Sequence, residues 1–344
     1  MCTALVVLTA CATAGTPFMA QLDVMMDRYD GRVPGASLLV VKNGIPIVRK
    51  SWGLADVEDR VGATPRTNYR LASVTKQFTA TAILLLMEDH KLSLDDHILK
   101  WLPSLPPALE SVTIQHLLTH TSGIIDYEDV IPKGATAQVH DADVLHLLES
   151  QDSTYFKPGS KYQYSNSGYS LLSLIIARAS GKGFASFLHD RIFTPLGMSH
   201  TVAYENGIST VSDRAFGYSL KDGKWTRKDQ SVTSAVLGDG GIYSSIDDMA
   251  RWDAALYDSR LLSDESRRLA FTPHTPTDDP MVQYGFGWRI SNRIIWHSGE
   301  TSGFRNVIVR YPAQKLSVVI LTNRDDPQPY HTALAILLLY ADPD

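Results

Sequence analysis

Residues 71–78 read LASVTKQF, and they open the most strongly helical stretch of the chain. Residues 75–90 contain no glycine or proline and repeat apolar side chains at helical spacing, which predicts a largely buried helix. Ser73 falls at its first turn, and Lys76 lies three residues later on the same face. A serine hydroxyl becomes a good nucleophile when a neighbouring base takes its proton. The pair is therefore a candidate nucleophile and base, the alternative being a capping serine beside an unrelated lysine.

The composition of the 344 residues is that of a globular protein, with 44% hydrophobic and 20% charged residues. A net charge of -5, a pI of about 6.1 and the lack of a basic cluster argue against nucleic acid as a partner. No apolar run is long enough to predict a membrane-spanning helix. The sequence does not indicate an oligomeric state.

Both cysteines, Cys2 and Cys11, lie at the extreme N-terminus. Residues 8–11 (LTAC) match the bacterial lipobox, in which the cysteine is lipidated after cleavage. We therefore expect residues 1–16 to form a signal or lipoprotein-like segment with a lipid anchor at Cys11. The protein would then be exported, to the bacterial periplasm or to a membrane surface. The positively charged start of such signals is missing, so an accidental match is the alternative.

Regular elements are predicted along the rest of the chain. They are helices at 17–29, 75–90, 167–180 and 332–340, and strands at 36–42, 45–50, 287–290, 294–297, 306–311 and 316–321. Strands at both ends and helices between them predict an α+β fold, in which both termini build one antiparallel sheet flanked by helices. We expect a single catalytic domain over 17–344, with an α/β part at 17–72 and 280–344 and a mostly helical insert at 73–279.

A second candidate motif precedes the helix predicted at 167–180. Residues 164–166 are Tyr-Ser-Asn, so Tyr164 is a candidate proton shuttle. Asn166 can accept a hydrogen bond from Lys76 and donate one to a substrate carbonyl. The same Tyr-x-Asn spacing recurs at Tyr204, and a surface tyrosine followed by a capping asparagine is the alternative interpretation of each.

A third candidate motif, residues 297–300 (HSGE), follows a short apolar strand. A strand that ends in Ser-Gly can bring a backbone N–H and a hydroxyl close to a substrate carbonyl. Ser298, Gly299 and Glu300 are therefore candidate substrate-binding residues, and His297 is a candidate catalytic residue. The similar residues 120–123 (HTSG) follow a helix, and we interpret them as a structural turn.

Taken in order, Ser73-x-x-Lys76, Tyr164-Ser165-Asn166 and His297-Ser298-Gly299 resemble the motifs of the penicillin-binding protein and serine β-lactamase superfamily. The resemblance covers roughly residues 20–340 and is closest to the class C branch, which includes D-Ala-D-Ala carboxypeptidases, D-aminopeptidases and β-lactamase-like esterases.

The resemblance also implies a β-lactamase/transpeptidase-like fold and a role for each motif. Ser73 would be acylated and Lys76 would be its base. Tyr164, preferred to Tyr204, would carry protons, and Asn166 would orient Lys76 and the substrate. The N–H groups of Ser73 and Glu300 would stabilise the oxyanion.

Two departures from the family pattern bear on the substrate. Many β-lactamases have Lys-Thr-Gly where this chain has His297-Ser298-Gly299, and a histidine is mostly neutral at pH 7. Glu300 adds a carboxylate where the family often has a small residue. Both features disfavour an anionic β-lactam.

We therefore expect a serine acyl hydrolase that cleaves D-amino-acid peptides or short esters and needs no metal or cofactor. The alternatives are a class C-type β-lactamase and a catalytically silent binding or scaffold protein of the same fold.

Overall fold

The computed structural model describes residues 18–343, which fold into fifteen strands and thirteen α-helices. The strands are β1 Ala36–Lys42, β2 Ile45–Trp52, β3 Leu54–Asp56, β4 Val61–Gly62, β5 Tyr69–Arg70, β6 Val202–Ala203, β7 Tyr218–Lys221, β8 Lys224–Arg227, β9 Ile242–Ser244, β10 Thr275–Pro276, β11 Gln283–Tyr284, β12 Arg289–Ser291, β13 Ile294–Thr301, β14 Phe304–Tyr311 and β15 Leu316–Thr322. The helices are α1 Met19–Met26, α2 Lys76–Glu88, α3 Ile98–Trp101, α4 Ile114–Leu118, α5 Tyr127–Val130, α6 Asp141–Glu149, α7 Asn166–Ser180, α8 Phe184–Leu188, α9 Thr194–Leu196, α10 Leu237–Gly240, α11 Ile246–Ala255, α12 Asp264–Ala270 and α13 Tyr330–Tyr340.

One eight-stranded antiparallel sheet joins the two ends of the chain. Its strand order is β10-β11-β12-β13-β14-β15-β1-β2. The N-terminal hairpin β1–β2 adds to the C-terminal strands because β1 pairs with β15 along its whole length, from Ala36 opposite Thr322 to Lys42 opposite Leu316. The predicted α+β class, with a sheet built from both termini, is confirmed.

The two faces of this sheet are buried against different layers. On β1, Leu38 and Val40 pack with α1 and α13, whereas Leu39 and Val41 face the helical region that contains α2 and α7. Successive side chains of a strand point to opposite faces, so a strand buried on both sides is apolar at every position. This explains the apolar run of β1 at residues 38–41.

The observed bounds differ from the predicted ones mainly at helix ends. The first helix, predicted over 17–29, is α1 followed by a 3₁₀ turn at Asp27–Tyr29. The helix predicted over 75–90 begins with a 3₁₀ helix at Ala72–Thr75 and ends as α2 at Glu88, shortly before His90, whose φ is +54°. A left-handed residue does not continue an α-helix, which accounts for this end. The strand predicted at 287–290 is β12, which begins only at Arg289 because Gly287 has a φ of +76°. The short strands β3–β11 escaped prediction because two to four residues carry too little periodic pattern.

The predicted signal segment at 1–16, with its lipid anchor at Cys11, lies outside the described residues. The export of the protein and the division of the chain at 16 and 17 stay predictions. Within residues 18–343, no single helix is long and apolar enough to cross a membrane, and α7 with Phe184–Leu196 meets that test only as a pair bent by 74°.

Candidate active site

Ser73 lies in the 3₁₀ helix that leads into α2. Its side chain is partly exposed, while the neighbouring Ala72 and Val74 are buried. Ala72 has a φ of +50°, a left-handed conformation that costs energy for any residue with a Cβ atom. The backbone just before it is held by a hydrogen bond from Leu71 N–H to the Ile242 carbonyl, 2.8 Å long. Strand pairing outside the helix therefore holds the residue before Ser73 in its strained conformation.

Lys76 is fully buried at the first turn of α2, directly below Ser73. Its Nζ lies 3.2 Å from Ser73 Oγ, 2.8 Å from Asn166 Oδ1 and 3.0 Å from the Asp239 carbonyl oxygen. Nζ donates in all three contacts; once it has lost a proton, the amine keeps two N–H groups for Asn166 Oδ1 and the Asp239 carbonyl, and its lone pair can accept the Ser73 hydroxyl proton. The arrangement thus suits a base that serves Ser73.

Asn166 is the first residue of α7, and hydrogen bonds hold both its backbone and its side chain. Its backbone N–H donates to Asp126 Oδ2 at 2.7 Å, and its Nδ2 donates to Glu128 Oε1 at 3.0 Å. With Nδ2 directed to a carboxylate, Oδ1 is the atom that faces Lys76. Asp126 and Glu128 belong to the start of α5, so this short helix orients the asparagine that orients the lysine.

Tyr164 precedes α7 and packs beside Lys76. The lysine Nζ lies 4.9 Å from the centre of the Tyr164 ring, and the ring of His120 lies 4.2 Å away on a tilted plane. The Tyr164 hydroxyl is buried and has no hydrogen-bond partner among residues 18–343. Tyr204 contacts other groups, since its hydroxyl donates to Asn206 Oδ1 and its ring lies under the guanidinium of Arg214. The structure therefore brings Tyr164, and not Tyr204, to Lys76.

The third motif lies on β13, but the side chain of His297 is directed into the protein interior. It is 2% exposed, its Nδ1 donates to the Ser298 carbonyl at 2.6 Å, and its Nε2 accepts from the Tyr284 hydroxyl at 2.9 Å. Burial, with the nearby charge of Arg289, lowers the pKa of His297 well below its ordinary value, so the ring is neutral. Both ring nitrogens of His297 are thus hydrogen-bonded inside the protein, and a catalytic role for this residue stays a prediction.

At Gly299, the backbone of β13 lies against the backbone around the nucleophile. A Cβ atom at this glycine would lie 2.0 Å from the Leu71 carbonyl oxygen and 3.2 Å from the Ser73 nitrogen. Strand β12 pairs only with Ile294–Trp296, which leaves the later part of β13 free to face the 3₁₀ helix at Ala72–Thr75. The backbone at Gly299 and Glu300 is thus next to the N–H of Ser73, as an oxyanion site requires.

Sequence reasoning missed two acidic residues of the site, Glu128 and Asp239. Asp239 Oδ2 accepts a hydrogen bond from the Tyr127 hydroxyl at 3.0 Å. Burial raises the pKa of Asp239 to about 7, although the charge of Lys76 opposes that shift. Both residues join the site through contacts with residues distant in sequence, which no short stretch of the chain shows.

His120 was also missed as a neighbour of the site. The predicted turn at 120–123 is present, with left-handed φ angles of +59° at His120 and +68° at Gly123. In addition, His120 Nδ1 accepts from the Ser165 N–H at 3.1 Å, so the ring is held against Tyr164. Burial lowers the pKa of His120 well below its ordinary value, and the imidazole is neutral. The turn therefore positions an aromatic wall behind Tyr164.

A small pocket opens above these groups. It is lined by Arg70, Ala72, Ser73, Tyr127, Glu128, Asn166, Thr233, Asp239, Gly240, Glu300 and Thr301. No group of three or more His, Cys, Asp or Glu residues within 18–343 has the geometry to hold a metal ion. The pocket thus offers one hydroxyl nucleophile, a buried amine and several carboxylates.

Comparison with known proteins identifies relatives along almost the whole chain. The family model described as Beta-lactamase matches residues 16–342. Penicillin-binding protein 4* of Bacillus subtilis (strain 168) is 32% identical over 319 residues, covering 87% of this chain and 70% of that protein. A D-aminopeptidase of Gluconobacter oxydans (strain 621H) is 30% identical over 328 residues, covering 89% of this chain and 59% of that protein.

A solved structure is similar over nearly its full length. The penicillin-binding protein from Bacillus halodurans superposes with a TM-score of 0.82 and 29% identity, covering 93% of this chain and 99% of that one. The two curated relatives are longer, and the present chain spans between 59% and 70% of their length.

Proposed function

Because the chain belongs to the beta-lactamase family, we propose that it is a serine acyl hydrolase that works through a covalent acyl-enzyme on Ser73. The observation that carries the proposal is the position of the buried Lys76 amine, 3.2 Å from Ser73 Oγ and hydrogen-bonded on its other sides to Asn166 and the Asp239 carbonyl. A silent scaffold of the same fold would not need a nucleophile, base and orienting amide in mutual contact.

Acylation begins when the neutral amine of Lys76 takes the proton from the Ser73 hydroxyl as Oγ bonds to the substrate carbonyl carbon. The carbonyl electron pair moves to oxygen, and the N–H groups near Ser73 and Glu300 stabilise that charge. The tetrahedral species collapses, the bond to the leaving nitrogen or oxygen breaks, and the proton passes from Lys76 through the Tyr164 hydroxyl to the leaving group. An ester of Ser73 and free leaving group remain.

Deacylation uses the same groups in reverse roles. A water molecule gives one proton to the Tyr164–Lys76 pair while its oxygen attacks the ester carbonyl of the acyl-enzyme. The tetrahedral species then releases the Ser73 oxygen, which recovers its proton from Lys76. The net reaction is hydrolysis of one acyl bond.

For the substrate we propose D-amino-acid peptides or amides, or short esters, ahead of β-lactams. The similarity to a D-aminopeptidase supports the first class. The neutral, buried His297 stands where many β-lactamases have a lysine, so this position offers no cation to a β-lactam carboxylate. A class C-type β-lactamase is therefore the second candidate, supported by the family match alone.

The proposal is tested by labelling the protein with a fluorophosphonate and measuring turnover of p-nitrophenyl esters, D-alanyl p-nitroanilides, D-Ala-D-Ala peptides and nitrocefin. Ser73 should carry the adduct, and Ser73→Ala should lose both the label and all turnover while keeping its melting temperature. An adduct on Ser122 or Ser302, or full turnover by Ser73→Ala, would place the reaction elsewhere.

The proton path is tested by Tyr164→Phe, with Tyr204→Phe as a matched control that has the same sequence spacing. Loss of a positioned proton-transfer group typically lowers the rate by about 100-fold or more, so we expect that loss for Tyr164→Phe. Tyr204→Phe should retain the wild-type rate. The reverse outcome would mean that the tyrosine facing Lys76 does not transfer protons.

A further inference from the structure

The Asp239 carbonyl that accepts from Lys76 belongs to α10, a single helical turn. Lys76 Nζ donates to this oxygen at 3.0 Å. Helix α10 comprises only Leu237–Gly240, and a turn of four residues does not stabilise itself, because one or two hydrogen bonds do not offset the ordering of its backbone. Its first N–H groups also have no acceptor within the helix. Contacts from other elements must therefore fix the position of the Asp239 carbonyl.

The carboxylate of Asp141 supplies the missing acceptors at the start of α10. Its Oδ2 accepts from the Leu237 N–H at 2.9 Å, and its Oδ1 accepts from the Gly238 N–H at 3.2 Å. Oδ1 also accepts from the Ser170 hydroxyl on α7 at 3.0 Å. Asp141 is 8% exposed, and burial raises the pKa of its carboxyl, a rise that these hydrogen bonds oppose. A buried carboxyl that receives two backbone N–H groups of one turn fixes the orientation of that turn, as a helix cap does.

Backbone pairing outside α10 brings Asp141 to this turn, although the residue lies 96 positions before the start of α10. The Val139 N–H donates to the Val232 carbonyl at 2.8 Å, and His140 forms a parallel bridge with Ala235. Asp141 follows directly as the first residue of α6. The carboxylate and α10 therefore meet because each follows one of two paired segments.

Helix α2 contacts the same turn through a side chain. The Thr79 hydroxyl, three residues after Lys76, is fully buried and donates to the Gly238 carbonyl at 2.7 Å. Helix α10 also lies against α7 without a gap, since a Cβ at Gly238 would come within 2.3 Å of the Tyr169 carbonyl oxygen. The turn is thus held by α2, α6 and α7, and the acceptor that it offers to the lysine is held with it.

We infer that Asp141 is a positioning residue for Lys76, because it holds α10 and with it the Asp239 carbonyl. This inference rests on the proposed function, since it gives Asp141 a part in orienting the base that serves Ser73. Asp141 does not belong to the described lining of the pocket. Its loss should therefore leave substrate contacts intact and misalign the proton transfer, so kcat and kcat/KM should fall together while KM changes little.

The test is Asp141→Asn, which keeps the size of the side chain but replaces one oxygen by an NH₂ group that cannot accept from a backbone N–H. We expect kcat for the p-nitrophenyl ester that the wild type hydrolyses fastest, and the rate of Ser73 labelling by a fluorophosphonate, to fall about 10- to 100-fold. KM should stay within about twofold of the wild-type value.

The matched control is Asp248→Asn on α11, which changes another buried carboxylate. Asp248 Oδ2 accepts from the His200 N–H at 2.9 Å and from the Thr201 hydroxyl at 2.8 Å. Both variants should lower the melting temperature, because each leaves a backbone N–H without its acceptor. Only Asp141→Asn should lose kcat when the rates are measured well below both melting temperatures.

A second variant acts on the same turn from another helix and replaces the first if Asp141→Asn does not fold. Thr79→Val keeps the shape of the side chain and removes the hydroxyl that donates to Gly238, so its kcat should also fall at nearly constant KM. The double variant should lose less than the product of the two single losses, because both changes release one element.

Three results would overturn the inference. They are a wild-type kcat in Asp141→Asn, a wild-type kcat in Thr79→Val if the first variant does not fold, and an equal loss of kcat in Asp248→Asn. Failure of the proposed function would look different, since Ser73 of the wild type would then take no label at all.

Discussion

At the scale of single residues, folding raises the pKa of the Asp239 carboxyl. Its carboxyl is buried beside Lys76 and accepts from Tyr127, and burial raises its pKa from 3.8 to about 7. Between these two pH values Asp239 therefore keeps its proton in the folded protein but has lost it in the unfolded chain. The resulting stabilisation is complete below about pH 3.8 and is lost as the pH rises through about 7.

We predict that Asp239→Asn removes this pH dependence. Asparagine keeps an oxygen that accepts from Tyr127 but cannot ionise. The free energy of unfolding of the variant should therefore rise relative to that of the wild type as the pH rises from 4.5 to 7.5. A shift of about three pKa units corresponds to on the order of 4 kcal/mol in the free energy of unfolding. The measurement is urea unfolding of both proteins across that range.

The comparison of the two proteins isolates Asp239 from other titrating groups. Burial lowers the pKa of His120 and His297, so their contribution has the opposite sign and is lost as the pH falls below about 6.5. That contribution is common to both proteins and cancels in the difference. A constant difference in unfolding free energy between pH 4.5 and 7.5 would show that Asp239 is ionised throughout.

At the scale of elements, the site depends on how closely β13 approaches the 3₁₀ helix at Ala72–Thr75. Gly299 allows this contact because it has no Cβ, and the atoms that a Cβ would meet belong to the backbone of Leu71 and Ser73. Backbone atoms of a hydrogen-bonded strand and helix cannot move aside cheaply, so any side chain at position 299 must separate the two elements.

We predict that Gly299→Ala lowers the rate of Ser73 labelling by a fluorophosphonate at least tenfold, because a shift of the oxyanion donors weakens transition-state binding. The control is Gly62→Ala on β4, where a Cβ would meet no atom within 4 Å. Labelling rates and melting temperatures should be measured for both variants. A wild-type labelling rate for Gly299→Ala would mean that β13 does not contribute to the oxyanion site.

At the scale of the whole molecule, a buried ion pair links the helical region to the central sheet. Arg310 on β14 donates through Nε to Asp253 Oδ1 on α11 at 2.9 Å, and both side chains are at most 1% exposed. Ser317 on β15 donates to the same oxygen at 2.7 Å. The pair thus ties one helix to two central strands, at a point remote in sequence from the catalytic motifs.

We predict that Asp253→Ala destabilises the protein by about 3 to 5 kcal/mol, because it leaves the charge of Arg310 buried without a partner. Adding Arg310→Met should recover much of that loss, since neither charge then remains inside. The exposed pair Asp258 and Arg260 supplies the control, and Asp258→Ala should change the unfolding free energy little. A double variant less stable than Asp253→Ala would contradict a penalty from the unpaired charge.

Much of this molecule was predictable from local patterns in its sequence. The apolar run of β1 and the apolar repeats in α2 and α7 each reflect interactions between residues a few positions apart, and these predictions match the structure. The spacing of Ser73 and Lys76 also fixed their contact, because one helical turn brings such residues together. Local periodicity and local geometry therefore suffice for the fold class and for the first two members of the site.

Only the tertiary structure decided which other groups surround Ser73 and in which direction they point. His297 is the first residue of the third motif, yet its buried ring accepts a hydrogen bond from Tyr284, thirteen residues away on β11. Asp239 and Glu128 meet Lys76 and Asn166 across more than 30 residues of sequence, through hydrogen bonds and burial that no short window contains. Which charges of the site are buried and which are exposed therefore follows from these long-range contacts, because no short stretch of sequence contains both members of a pair.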